Sequence, residues 1–330
     1  LSNGGLSAPR RLDLKLALAA VLARVRRIET ATTLCEDAIQ TATRLGLHVQ
    51  LGHAHAGLGH LRSLQGDPAA ARAHAETALG IFQQAGAAAA EATILRDLGV
   101  NHMAQGDFTS ARAHLTAALT LHQQLGDRRA EGRTMANLGL LSRHCGDFSE
   151  AEKRYKVALH VLQDIGDRQS EGSVLSNLAI VYRDLGRDED ARQLYAQALT
   201  LHQRLGNRRS EGIVRGNLGT LLMVDGNLVG ARAQLDTALA IHRELGNPRS
   251  EAIVRVSIAS VCRRQGELSQ AFGELTRALA LTTAQWPLIA ASCHRLLAGV
   301  CAAQGNLDQA RRHLHHAERM VPPGAALDRA

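Results

Sequence analysis

The apolar positions of this chain fall into short helical stretches punctuated by glycine. Between residues 174 and 185, Val174, Leu175, Leu178, Val181, Tyr182 and Leu185 recur three or four apart, the spacing of one helix face. Gly186 then supplies a left-handed stop, and Asp188, Glu189 and Asp190 open a second helix at the positive end of its dipole. That helix carries Ala191, Leu194, Tyr195, Ala198 and Leu199 on its apolar side. It ends at Leu205-Gly206, and Asn207 caps the helix that follows. The pattern predicts a helix–turn–helix unit.

The unit repeats. Gly66, Gly106, Gly146, Gly186, Gly226 and Gly266 stand forty residues apart, and Gly305 follows after thirty-nine. Ala71, Ala111, Ala151, Ala191, Ala231, Ala271 and Ala310 keep step five residues later. Seven further on come Ala78, Ala118, Ala158, Ala198, Ala238, Ala278 and Ala317. Leu58-Gly59, Leu98-Gly99, Leu138-Gly139, Leu178-Ala179, Leu218-Gly219 and Leu297-Ala298 precede the turn glycines. Leu125-Gly126-Asp127, Ile165-Gly166-Asp167 and Leu245-Gly246-Asn247 repeat the exit punctuation. Small residues at these places let helix backbones approach closely. Neither helix of a pair can bury its face alone, so stacked neighbours supply the stability. The expected fold class is all-α.

Leu138, Gly139, Ala151, Tyr155 and Ala158 together resemble the tetratricopeptide-repeat signature. The forty-residue period, the linker LGDRRAEG (125–132) and Asn137-Leu138-Gly139 resemble its long-repeat subtype. That subtype occurs in Leu-Gly-Asn repeat adaptors and in the C-terminal arrays of bacterial STAND and other regulatory proteins. The resemblance covers residues 11–321. It implies a right-handed α-solenoid of about eight repeats, near 12–51, 52–91, 92–131, 132–171, 172–211, 212–251, 252–290 and 291–321. Residues 1–10 are expected as a flexible N-terminal segment and 322–330 as a tail after Pro322-Pro323-Gly324. The first unit has Arg26 where the turn glycine should stand and reads as a divergent cap. Before the last unit, Trp286-Pro287 replaces the usual linker; Pro287 should open a helix and Trp286 pack beside it.

Composition narrows the function. Residues 16–23 form the longest uncharged apolar run, far short of a membrane span. Residues 1–10 are polar with two adjacent glycines, so no signal peptide is expected. The five cysteines are scattered without a CxxC pair, against zinc or a disulfide framework and in favour of a reducing cytoplasm. P-loop, HExxH and GxSxG patterns are lacking, and Gly57-Leu58-Gly59 meets Arg62 where a dinucleotide motif needs glycine. Neither His53, His55 and His60 nor His313, His315 and His316 offers an i,i+4 pair. His122, His202 and His242 share one place near a helix C-terminus, where a histidine can favour the dipole. No catalytic residue, metal or cofactor is expected. The expectation is a non-enzyme.

The net charge is +7, carried by thirty-five arginines against three lysines, Lys15, Lys153 and Lys156. This favours acidic partners through steering. If Val174, Leu178, Val181 and Leu185 face the core, then Ser173, Ser176, Asn177, Ile180, Arg183 and Asp184 face away. The matching set in the fourth unit includes Arg133, Asn137, Leu140, Arg143 and His144. In the sixth it is Ile213, Gly216, Asn217, Thr220, Met223 and Val224, and in the seventh Ser257, Ser260, Arg263 and Arg264. In tetratricopeptide arrays, the resemblance implies, this face lines the concave groove. Asn137, Asn177 and Asn217 then share one groove position, and an asparagine amide can satisfy both C=O and N–H of an extended peptide. The flanking arginines would favour acidic side chains, and Leu140, Ile180 and Met223 would serve as apolar anchors.

The expected partner is therefore an extended, acidic protein segment, captured by the sensor or scaffold part of a larger bacterial regulator; whether an effector domain precedes Leu1 stays open. Other readings stay open. The asparagines can instead bond the neighbouring repeat; the basic groove can bind nucleic acid, against which 2% aromatics and interspersed acids argue; or the end faces can make a structural, oligomerising scaffold.

Overall fold

The structure is a computed structural model that describes residues 7–25, 27–282 and 286–320. Arg26, Pro322-Pro323-Gly324 and most of the N-terminal segment lie outside the described residues. Among the described residues all regular structure is helical, in two compact units divided between Asp167 and Arg168. The first holds α1 (Ala8–Arg24), α2 (Ile28–Leu45), α3 (His48–Leu64), α4 (Pro68–Gln84), α5 (Ala88–Ala104), α6 (Phe108–Gln124), α7 (Arg128–His144) and α8 (Phe148–Asp164). The second holds α9 (Arg168–Asp184), α10 (Asp188–Arg204), α11 (Arg208–Val224), α12 (Leu228–Glu244), α13 (Pro248–Arg264), α14 (Leu268–Leu281), α15 (Pro287–Ala303) and α16 (Leu307–Met320). In each unit an odd-numbered helix packs on the even-numbered one that follows, and the pairs stack.

The small residues sit where helices close on one another. Both alanine series are buried throughout, from Ala71 to Ala310 and from Ala78 to Ala317. A Cβ added to Gly99 would lie 2.6 Å from Leu115 Cγ, and one at Gly219 would lie 2.7 Å from Leu235 Cγ. Glycine is required there because the partner side chain occupies its place.

Left-handed glycines close the turns within pairs (Gly106, φ 80°) and the junctions between pairs (Gly126, φ 67°). At the first of these, Asp107 N–H donates to His102 O at 2.9 Å and Gly106 N–H to Met103 O at 3.1 Å, satisfying carbonyls at the end of α5. The Asp107 carboxylate then accepts from Ser110 N–H at 3.0 Å and caps α6. Asp67, Asp127, Asp147, Asn207, Asn227 and Asn247 cap their helices in the same way. Asp147→Ala removes the acceptor for Glu150 N–H and should lower stability by about 1 kcal/mol, read from the urea midpoint.

Asn207 caps α11, which starts at Arg208, as read from the sequence. Two expectations need correction. The segment expected to be flexible through residue 10 is helical from Ala8, with Pro9 in the first turn, where its missing N–H is harmless. Leu185 is 42% exposed in the turn rather than part of the apolar face. Pro287 does open α15, with the half-buried Trp286 before it.

Buried glutamates tie successive pairs together. Glu211 accepts from Arg208 Nη1 at 2.8 Å and Arg215 Nε at 3.0 Å, and from Gln203 of the preceding helix at 3.3 Å. Burial works to raise its carboxyl, but these three donors together bring it below the usual carboxylate range. Glu131 is held likewise by Arg128 and by Gln123.

Candidate functional site

In the first unit, α7 carries Arg133 exposed and Asn137, Leu140 and Arg143 half-buried. In the second, α9 presents Ser173 exposed and Asn177, Ile180 and Arg183 half-buried, and α11 presents Asn217 and Met223 half-buried. Arg263 is exposed near the end of α13. Ser176, expected on this face, is buried.

Several of these residues have structural work. Leu140 packs on the cluster containing Met103, Leu115 and Leu138, and Met223 on the one containing Leu235 and Ile258. Arg183 donates to Asp184 at 2.9 Å. The neighbour of Arg263, Arg264, donates to Met223 O at 2.7 Å and so ties α13 to the end of α11. The three asparagines differ from these. Among the described residues, the side-chain amides of Asn137, Asn177 and Asn217 hydrogen-bond to no other protein group, and none is sealed from solvent. They are not spent on seams between pairs.

Asn217 lies in a cleft of about 350 Å³ between α11 and α13. Ile213, Gly216 and Thr220 line it from α11, and Ile253, Val254 and Ser257 from α13. Arg209 and Arg249 stand at the end where both helices start. The first unit has a wider cleft of about 640 Å³ between α3 and α5, lined by His53, Ala56, Phe82, Ile94 and Asp97 among others, without an arginine.

Arg209 and Arg249 were not among the residues singled out from the sequence, although the signal was present. Residues 207–215 (NRRSEGIVR) and 247–255 (NPRSEAIVR) nearly repeat, which places both arginines and both isoleucines in register.

The shared histidine position lies where it was expected: His122, His202 and His242 stand in the last turns of α6, α10 and α12, and all three are buried. A Cβ on Gly172 would lie 2.7 Å from His202 Cε1, and one on Gly212 would lie 2.9 Å from His242 Cε1. The His202 and His242 rings each fill the slot beneath a glycine of the preceding first helix. Burial pushes the His202 imidazole below its ordinary range, against a hydrogen bond with the Gly172 backbone. For His242, burial acts first and Arg209 second, opposed by the Gly212 backbone and Glu251.

His55 faces His74 at 3.2 Å between Nδ1 atoms, and His294 faces His313 at 2.9 Å. Even so, no group of three or more His, Cys, Asp or Glu among the described residues is placed to hold a metal ion. No described helix is long and apolar enough to cross a membrane.

The sequence matches the tetratricopeptide-repeat family over residues 11–84, 90–164, 170–222 and 210–284, and a second tetratricopeptide-repeat family over residues 291–316. A comparison with curated proteins finds no matching relative. Among solved structures, the apo quorum sensor NprR from B. thuringiensis is similar at a TM-score of 0.72 and 14% identity, with 96% of this chain and 89% of that chain covered. A STAND protein with a tetratricopeptide repeat sensor from Pyrococcus horikoshii is similar at 0.64 and 17% identity, over 93% of this chain but only 47% of that one. The Rap conjugation gene regulator of plasmid pLS20, solved with the Phr* peptide, is similar at 0.66 and 14% identity, over 82% and 74% of the two chains. At these identities the likeness is one of fold.

Proposed function

The chain belongs to the tetratricopeptide-repeat family, and from that premise we propose that it is a protein-interaction module. Within each unit, the outward faces of the first helices take an extended polypeptide segment. The observation that carries this reading is the open asparagine amide, repeated at one position on α7, α9 and α11. In the second unit Asn177 and Asn217 lie on neighbouring first helices, roughly 10 Å apart. An extended chain rises about 3.3 Å per residue, so the two amides meet it about every third residue. Such bonds read backbone rather than sequence, and each is worth only about 0.5–1.5 kcal/mol. Apolar and charged contacts must supply the rest.

The solved relatives support the reading, since the plasmid-encoded Rap regulator holds a peptide on the same fold. The STAND protein, of which the match covers 47%, supports a place as the sensing part of a larger signalling protein; a bacterial, cytoplasmic setting is part of the same proposal.

The test uses a peptide selected on this chain from a random display library. Asn177→Ala with Asn217→Ala should weaken it by about 5- to 150-fold, two hydrogen bonds' worth, while the melting temperature stays within a degree or so. Unchanged affinity would remove the asparagines from the site.

A further inference from the structure

Resting on that reading, we infer that the cleft between α11 and α13 is an anchor site for an acidic segment that inserts an aliphatic side chain beside its carboxylates. Charge and shape both point this way. Most arginines near the cleft are already engaged. Arg208 holds Glu211 and Glu244; Arg215 holds Glu211; Arg255 holds Glu251 and Glu274. Arg209 and Arg249 differ: both are exposed, both line the cleft, and neither makes an ion pair among the described residues. No carboxylate lines the cleft with them. A carboxylate entering at this end meets two guanidiniums without displacing a resident anion.

Beyond the arginines the walls turn apolar. Ile213 and Ile253, 44% and 47% exposed, flank a floor that has no side chain at Gly216 and is backed by Val254. An aliphatic group laid there covers the two isoleucines, which otherwise face water, at about 25 cal/mol per Å² removed. Asn217 lies beside the floor to take the main chain. The cleft of the first unit has Asp97 and no arginine, so it does not share this preference.

Gly216 permits a direct test. A Cβ there would meet only Val254 Cγ2, at an ordinary 3.7 Å, so a side chain at 216 projects into the cleft without disturbing the fold. A random dodecapeptide display library is selected on the full chain, and the strongest binder is synthesised. The expected binder is rich in Asp and Glu around a Leu, Ile or Val. Its affinity should fall at least about ten-fold in the Arg209→Gln/Arg249→Gln double variant and be lost in Gly216→Leu, with melting unchanged. Ile213→Ser, at an exposed position, gives the same readout if Gly216→Leu alters melting. A neutral or basic binder, or one whose affinity for all three variants stays within about two-fold of wild type, overturns the anchor site and leaves the interaction module standing. A library that yields no binder above background overturns both.

Discussion

Tyr155→Ala should destabilise the first unit by about 3–5 kcal/mol, a large fraction of what holds a domain folded. Tyr155→Phe should be neutral or stabilising. Tyr155 is wholly buried, and its ring lies so close to Gly139 that a Cβ there would be 3.1 Å from Tyr155 Cδ1. Truncation to Ala therefore opens a void between α7 and α8 that neither backbone can close. The hydroxyl contributes nothing comparable. It is buried without a hydrogen-bond partner among the described residues, and burial drives the phenol strongly toward its protonated form. A buried orphan group of this kind costs about 1–3 kcal/mol. Urea unfolding followed by circular dichroism checks both variants. A mild effect of Ala, or a large loss with Phe, would contradict the packing described.

Acid should weaken the fold through the histidines beneath the first helices. The imidazoles of His122, His202 and His242 are each held below their ordinary range, with burial as the largest cause. His122 also faces Arg96, which lowers it further, and Asp127, which opposes. A depressed folded pKa means that the unfolded chain takes up protons first. Stability is then fully present above about pH 6.5, the unfolded value, and is lost as pH falls through the folded values. Leu162 already fills the equivalent slot over Gly132, where a Cβ would come within 3.0 Å of it. His202→Leu with His242→Leu should therefore fold and flatten the decline between about pH 6.5 and 5. Melting temperatures across that range decide it. An equally steep decline in the double variant would place the acid sensitivity elsewhere.

Much of this was legible in the sequence because close backbone approach needs small residues at fixed intervals. Both alanine series and the leucine–glycine pairs are buried as expected. What a single helical wheel missed has a common cause. α9 packs on α10 and also on α11, so its buried arc is wider than one stripe and takes in Ser176, while Leu185 falls past its end. The histidine slots were written at another interval: Phe82, Leu162, His202 and His242 each follow, by thirty residues, the glycine they cover. That spacing joins a second helix to the first helix of its own pair, and a search for forty-residue periodicity alone passes over it. The open asparagines were legible as a repeat, and so was the register of Arg209 and Arg249, but that these two stay unpaired was not. Only the contacts of Arg208, Arg215 and Arg255 separate engaged guanidiniums from free ones.

The claim that the outward faces of the first helices capture a polypeptide is tested most directly by photocrosslinking. A display-selected peptide carrying a benzophenone should, after irradiation, mark α9, α11 and α13 in the second unit, with adducts at Ile213, Thr220 or Ser257. Adducts confined to the second helices α10, α12 and α14 would contradict the account.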